Sequence, residues 1–186
     1  MLNDTKLARL TTVNTNIAGR KEGDTYYFIF DRHLAVKINC LSLYPKFMAK
    51  LYSTGKLLPN GDLYKTTSII DTLFKPDIRD MKPTEYTGID VYDEANDDTA
   101  INVWRIGELD YVCYKKMYTE ALTAPAPCGL CIPGIPIQRK MIYFTDTDGE
   151  VYAVISPYSF DVLTYIKVNL PCICDKTEIE DGANNE

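Results

Sequence analysis

The sequence is poor in histidine: one in 186 residues, His33. Any Ser-His-Asp or Cys-His catalytic set would have to be built through it. It sits beside Asp31 in a polar turn, and turn chemistry accounts for it. No phosphate-binding glycine loop is present, because Gly23, Gly55 and Gly61 lack the necessary neighbours. No apolar run approaches the roughly 20 residues that span a bilayer. Met1 to Leu10 is polar and amphipathic, unlike a secretory leader. These absences lead to the expectation of a soluble, cytoplasmic protein with no membrane contact and no catalytic constellation, hence not an enzyme.

What the chain does have is a globular composition, 46% hydrophobic and 11% aromatic. Its length fits one domain able to bury a sizeable core. The net charge is −6, from 20 basic and 26 acidic side chains, and it is unevenly spread. Residues 1–70 carry 10 Lys/Arg against 5 Asp/Glu, a balance of +5; residues 71–186 carry 10 against 21, a balance of −11. Such asymmetry suits a polyanion-facing patch beside an acidic face, and equally an ordinary surface on which the segregation does not survive folding.

Three strand–turn–strand stretches organise the sequence. Residues 25–38 place aromatic and branched residues on both sides of Asp31-Arg32-His33, as a pleated surface prefers. Residues 103–114 repeat the plan about Gly107-Glu108-Leu109, and residues 140–155 about Asp146-Thr147-Asp148-Gly149. In this last turn the paired carboxylates Asp146 and Asp148 read as turn formers. Helix-like segments run from Leu2 to Leu10, from Ser42 to Tyr52, and from Lys115 to Leu122. In the second, Leu43, Phe47 and Leu51 share a line, Pro45 lies in the first turn and Gly55 stops the helix. Large apolar side chains at alternating or helical-face positions belong inside. Phe28, Phe30, Val36, Phe47, Leu51, Val112 and Val154 are the expected core.

The fold class expected is α+β, with antiparallel hairpins and helices packed on one face. Residues 1–174 form a single domain of two pseudo-repeated lobes, about 1–75 and 84–174, joined by a linker at 75–83. Residues 175–186 form an acidic disordered tail. Tyr86 to Tyr92 opens the second lobe as a strand. Asp93 to Asp98 resembles a calcium loop in composition only, lacking the ligand spacing, the glycine and the closing glutamate. The stretch from Thr123 to Gln138 is too rich in proline for regular structure.

Two stretches resemble the bacterial sliding clamp, the processivity subunit of the replicative DNA polymerase. Residues 27–36 match its strand–turn–strand pattern, with Arg32 where the pattern has glycine. Glu108 to Leu122, Met141 to Asp146 and Val151 to Pro157 follow the strand, helix, strand, strand order that ends a clamp domain. The chain is similar to single-domain clamp-like proteins of bacteriophages. The resemblance covers about half the chain. It implies helices on one side facing DNA and a sheet on the other, with action in phage or bacterial DNA metabolism. A ring-forming clamp carries two or three such domains, whereas this chain has room for one.

Two sets of side chains could form sites. Cys128-Gly129-Leu130-Cys131 and Cys172-Ile173-Cys174 could supply four thiolates to a tetrahedral structural zinc. A redox dithiol at Cys128 and Cys131, or simply buried thiols, are the alternatives; no other cofactor is expected. Lys46, Lys50 and Lys56, with Lys115 and Lys116, could line the helical side as a basic stripe toward phosphate. Solvated lysines would look the same. The leading function is a non-enzymatic clamp-like binding module acting through a protein partner and weak DNA contact. The alternative is an acidic, anti-CRISPR-like inhibitor of a host nuclease or defence system, working by surface mimicry.

Overall fold

In the computed structural model, residues 2–14, 16–58, 62–63, 73–77, 79–93, 99–107, 110–122, 129–132 and 140–159 are described. Among them, nine strands form one antiparallel sheet: β1 (Ile17–Glu22), β2 (Thr25–Phe30), β3 (Leu34–Ile38), β4 (Lys82–Asp93), β5 (Thr99–Ile106), β6 (Asp110–Lys115), β7 (Gly129–Cys131), β8 (Ile142–Thr145) and β9 (Val151–Ile155). The strand order is β1-β2-β3-β9-β8-β7-β4-β5-β6. Among the described residues three named helices accompany it: α1 (Asp4–Val13), α2 (Pro45–Ser53) and the single turn α3 (Lys116–Thr119). The class is therefore α+β. No helix among the described residues is long and apolar enough to cross a membrane.

The three expected hairpins are β2–β3, β5–β6 and β8–β9, with registers such as Phe28 opposite Val36, Trp104 opposite Val112, and Phe144 opposite Ala153. β4 begins at Lys82, so the last two residues of the expected 75–83 linker lie in the sheet. The two halves of the chain share that one sheet, β9 of the second half pairing with β3 of the first.

Burial in β2 alternates as the pleat requires, with Tyr26, Phe28 and Phe30 inside. Their partners come from α2. The Phe47 ring meets Phe28 edge-on, with centroids 5.0 Å apart, and lies 6.0 Å from Phe30. Leu7 and Leu10 of α1, Leu51 of α2, and Val36 complete this region. All seven expected core residues are buried. Val154 alone faces the other side of the sheet, in a small cluster with Ala35 and Val151.

Two helix boundaries differ from the expectation. α2 starts at Pro45, because Leu41–Leu43 forms a separate 3-10 turn. Its first N–H groups are capped by Asp4 of α1, which accepts from Lys46 N–H (3.1 Å) and Phe47 N–H (2.8 Å). The segment 115–122 is mostly not helix. Lys115 is held in the β5–β6 ladder opposite Ile101. Beyond α3 the N–H groups of Ala121 and Leu122 bond back to Tyr118 and Thr119, tightening the chain into a turn.

The sheet is strongly curled. In strand order β3 and β6 stand six places apart, about 29 Å along a flat sheet. Yet Ser156 N–H donates to the His33 carbonyl (2.8 Å), and Tyr158 N–H donates to the Cys113 carbonyl of β6 (2.7 Å). Two residues of chain reach about 7 Å. Only a sheet rolled toward closure brings the start of β3 and the β6 edge that near. Ring contacts show which face is inside. Trp104 of β5 and Phe144 of β8 have centroids 5.9 Å apart, although three strand spacings, about 14 Å, separate them along the sheet. The face carrying the main core and the helices is therefore the concave one.

Candidate functional site

The curl gathers several elements around the β2–β3 turn. Asp31 (φ 44°) and Arg32 (φ 64°) are both left-handed, and neither is glycine. For side chains other than glycine this costs about 1–2 kcal/mol per residue. His33 N–H closes the turn on the Phe30 carbonyl (2.9 Å). Neighbours then fix it from two sides. Asp31 N–H donates to the Asn16 carbonyl (2.9 Å), and Asn16 N–H donates to Asp31 Oδ1 (3.0 Å). Ser156 Oγ donates to the Arg32 carbonyl (3.1 Å), next to the Ser156–His33 backbone bond. A turn held by four outside hydrogen bonds can keep an unfavourable backbone and present Arg32, which is exposed, in a fixed place.

The end of α1 lies alongside. Lys56 Nζ donates to the carbonyls of Thr11 (2.9 Å) and Asn14 (3.0 Å), supplying a cation where the helix leaves carbonyls unpaired. Asn14 is 3% exposed. Its Oδ1 accepts from the Tyr118 hydroxyl (3.2 Å), while its Nδ2 is buried with no partner among the described residues. The Tyr118 ring in turn lies against the His33 ring, centroids 5.6 Å apart.

Electrostatics tie the cluster together. His33 is pushed below its ordinary value by burial and by Lys115, with Asp31 opposing. Burial also lowers Lys56, which feels the carboxylate of Asp31 and the ammonium of Lys50. Burial, reinforced by Asp31, pushes the Tyr118 hydroxyl up to about 12. Lys115 Nζ sits 5.1 Å from the centre of the Tyr158 ring, and the Tyr158 hydroxyl donates to Asp93 (2.8 Å). Arg32 stands in the turn that carries Asp31, the Lys56 ammonium feels Asp31, the Lys115 ammonium acts on His33, and Lys50 acts on Lys56, with Asp93 reached from Lys115 through Tyr158.

The structure sorts the five lysines expected as a stripe. Lys56 and Lys115 act on Asp31 and His33 of this turn, and Lys50 acts on Lys56. Lys46 is bonded to the Thr5 hydroxyl (2.9 Å) on α1, and Lys116 is paired with Asp90 on β4. Of the four cysteines expected as metal ligands, Cys128, Cys172 and Cys174 lie outside the described residues. Cys131 is buried on β7 beside the Tyr114 hydroxyl, and burial raises its thiol to about 11. Among the described residues no group of three or more His, Cys, Asp or Glu side chains could hold a metal ion. The residues missed by pattern are Arg32, Asn14 and Tyr118. The signal was the Asp-Arg pair in a tight turn where glycine is the usual choice.

No protein-family model, curated protein or solved structure matches the chain.

Proposed function

We propose that the chain is a non-enzymatic binding module of clamp-like build, acting in phage or bacterial DNA metabolism through a protein partner and weak contact with duplex DNA. The observation that supports this is the β2–β3 turn, held by four hydrogen bonds, which carries Arg32 and on which the ammonium groups of Lys56 and Lys115 act, with Lys50 near Lys56, in a chain whose net charge is −6. A concentrated patch on an otherwise acidic molecule orients it toward a polyanion and keeps the rest turned away. The contact is weak because the same net charge repels the phosphate backbone at longer range.

The test is a salt titration of duplex DNA binding. Each phosphate neutralised contributes a slope near −0.9 in log K against log salt, so this turn and its lysines predict a slope of roughly −2 to −4. Lys50→Glu with Lys115→Glu removes the binding, while Lys46→Glu with Lys116→Glu changes it much less. Absence of binding by the wild type at low salt overturns DNA contact. The second reading, inhibition of a host nuclease or defence protein by surface mimicry, is favoured by the −11 balance of residues 71–186. Capture of a nuclease from host extract, with no DNA binding, selects it.

A further inference from the structure

Three hairpin turns of the sheet place glycine at their left-handed position: Gly23 (φ 57°) between β1 and β2, Gly107 (φ 60°) between β5 and β6, and Gly149 (φ 79°) between β8 and β9. The β2–β3 turn places Arg32 there, at φ 64°, straight after Asp31 at φ 44°. A tight turn with two left-handed residues favours asparagine followed by glycine. Asp31 has a structural reason to stand in it. Its Oδ1 accepts the Asn16 N–H (3.0 Å), and its own N–H donates to the Asn16 carbonyl (2.9 Å). Arg32 has no such reason. Its carbonyl accepts from Ser156 Oγ (3.1 Å), a bond that the backbone of any residue can make. Its side chain is exposed and has no hydrogen bond or ion pair among the described residues. By contrast, Arg20, Arg79 and Arg105 pair with Glu22, Asp77 and Glu85.

We propose that Arg32 is the residue that grips phosphate when this protein contacts duplex DNA, and that it is kept in a left-handed turn at a cost in stability. The proposal rests on the reading of the chain as a DNA-contacting module, and names the residue that makes the contact. A guanidinium offers two parallel N–H donors to two oxygens of one phosphodiester, so it gains from a fixed orientation. The turn supplies that. Asn16 holds it on one side and Ser156 on the other, where the Ser156 N–H also donates to the His33 carbonyl (2.8 Å). The carboxylate nearest in sequence is drawn toward Asn16. Backbone freedom that a loose tip would lose on binding is lost here on folding. Glycine at this position would relax the backbone and remove the contact.

The test compares wild type with Arg32→Gly, Arg32→Lys and Arg105→Gln, by thermal unfolding and by duplex DNA binding across a salt series. Arg32→Gly should melt about 2–4 °C above wild type, because the strain is relieved. It should bind DNA about tenfold more weakly at low salt, with a slope in log K against log salt shallower by about 0.9. Arg32→Lys keeps the charge and the strain but not the fork. It should melt with wild type, keep the slope and bind with intermediate affinity. Arg105→Gln removes an equal charge from β5 and should leave the slope unchanged. Wild-type affinity and slope in Arg32→Gly overturn the contact and leave the DNA reading standing, as does an equal loss in Arg105→Gln. Arg32→Gly melting no higher than wild type overturns the cost in stability. Absence of wild-type binding at low salt overturns the DNA reading, and this inference with it.

Discussion

The ring of Tyr118 lies 5.6 Å from the ring of His33, centroid to centroid, and joins the turn after the last strand in sheet order to the turn before the third. Tyr118 also donates its hydroxyl to Asn14 at the end of α1. One side chain therefore links α1, α3 and the β2–β3 hairpin.

Stability near neutral pH follows from His33. Its value is lowered in the folded state, first by burial and then by Lys115, from an ordinary 6.5. As pH falls through about 6.5 the unfolded chain takes up this proton while the folded chain does not, so stability falls with falling pH. The loss levels off below the folded value. Urea unfolding midpoints measured across this window should decline for wild type. They should be flatter for His33→Gln, which cannot titrate. Equal slopes for the two proteins would place the effect on other groups.

Phe47→Ala tests the packing of α2 on the sheet. Phe47 is fully buried and its ring meets both Phe28 and Phe30. Removing it opens a cavity between helix and sheet, at a cost of about 3–5 kcal/mol. A loss below about 1 kcal/mol in denaturant unfolding would show that the neighbours collapse into the space.

The hairpins and this helix were legible because their signals are local: period-2 burial in 25–30, a turn, and apolar residues at i and i+4 around Phe47. The curl was not. It depends on Tyr158 finding Cys113 and on Trp104 finding Phe144, contacts of long sequence separation with no periodic trace. The basic stripe was half legible for the same reason. Lys50 and Lys56 are near in sequence, but Lys115 acts on His33 only because the sheet rolls, while Lys116, one residue later, points to Asp90. Arg32 in a left-handed turn contradicts local preference, and only the surrounding hydrogen bonds explain it.

Gly19 and Gly23 should respond to alanine for different reasons. A Cβ on Gly19 would stand 2.4 Å from the Tyr27 carbonyl oxygen on the paired strand and 2.7 Å from Leu63 Cδ1. Backbone cannot rotate aside, so Gly19→Ala forces β1 off β2 and should cost about 1–3 kcal/mol or more. Gly23 has open space around it but φ +57°, so Gly23→Ala carries only backbone strain, about 1–2 kcal/mol. Thermal unfolding of both variants gives the order, with Gly19→Ala the lower melting. The reverse order would mean that β1 detaches at little cost.

Cysteine reactivity should divide by burial. Cys40 is exposed, whereas Cys113 and Cys131 are buried, with thiols raised to about 12 and about 11 by desolvation. The thiolate is the reactive form. Alkylation of native protein at neutral pH, mapped by peptide mass, should label Cys40 quickly and leave Cys113 and Cys131 unmodified until denaturant is added. Fast native labelling of Cys113 would show that the β6 edge opens readily.

Among the described ion pairs, the most buried charge is the Lys140 ammonium, paired with Asp110. The Lys140 ammonium is 2.5 Å from both carboxylate oxygens, and its side chain is 8% exposed against 32% for Asp110. The backbone around it is fixed, since the buried Tyr114 hydroxyl donates to the Lys140 carbonyl (3.0 Å). Removing either partner takes an opposite charge from the other, and the more buried charge suffers more. Asp110→Ala should therefore cost about 3 kcal/mol by stranding a buried ammonium. Lys140→Met leaves a carboxylate that water still reaches and adds apolar contact in place of the charge, so its cost should be about 1 kcal/mol or less. The double variant Lys140→Met with Asp110→Leu should fall near wild type, because a buried pair exchanged for apolar groups loses attraction and desolvation cost together. Urea unfolding of the four proteins closes the cycle. If Asp110→Ala costs no more than Lys140→Met, the ammonium finds another partner or reaches solvent, and the pair does not hold the start of β8 against β6.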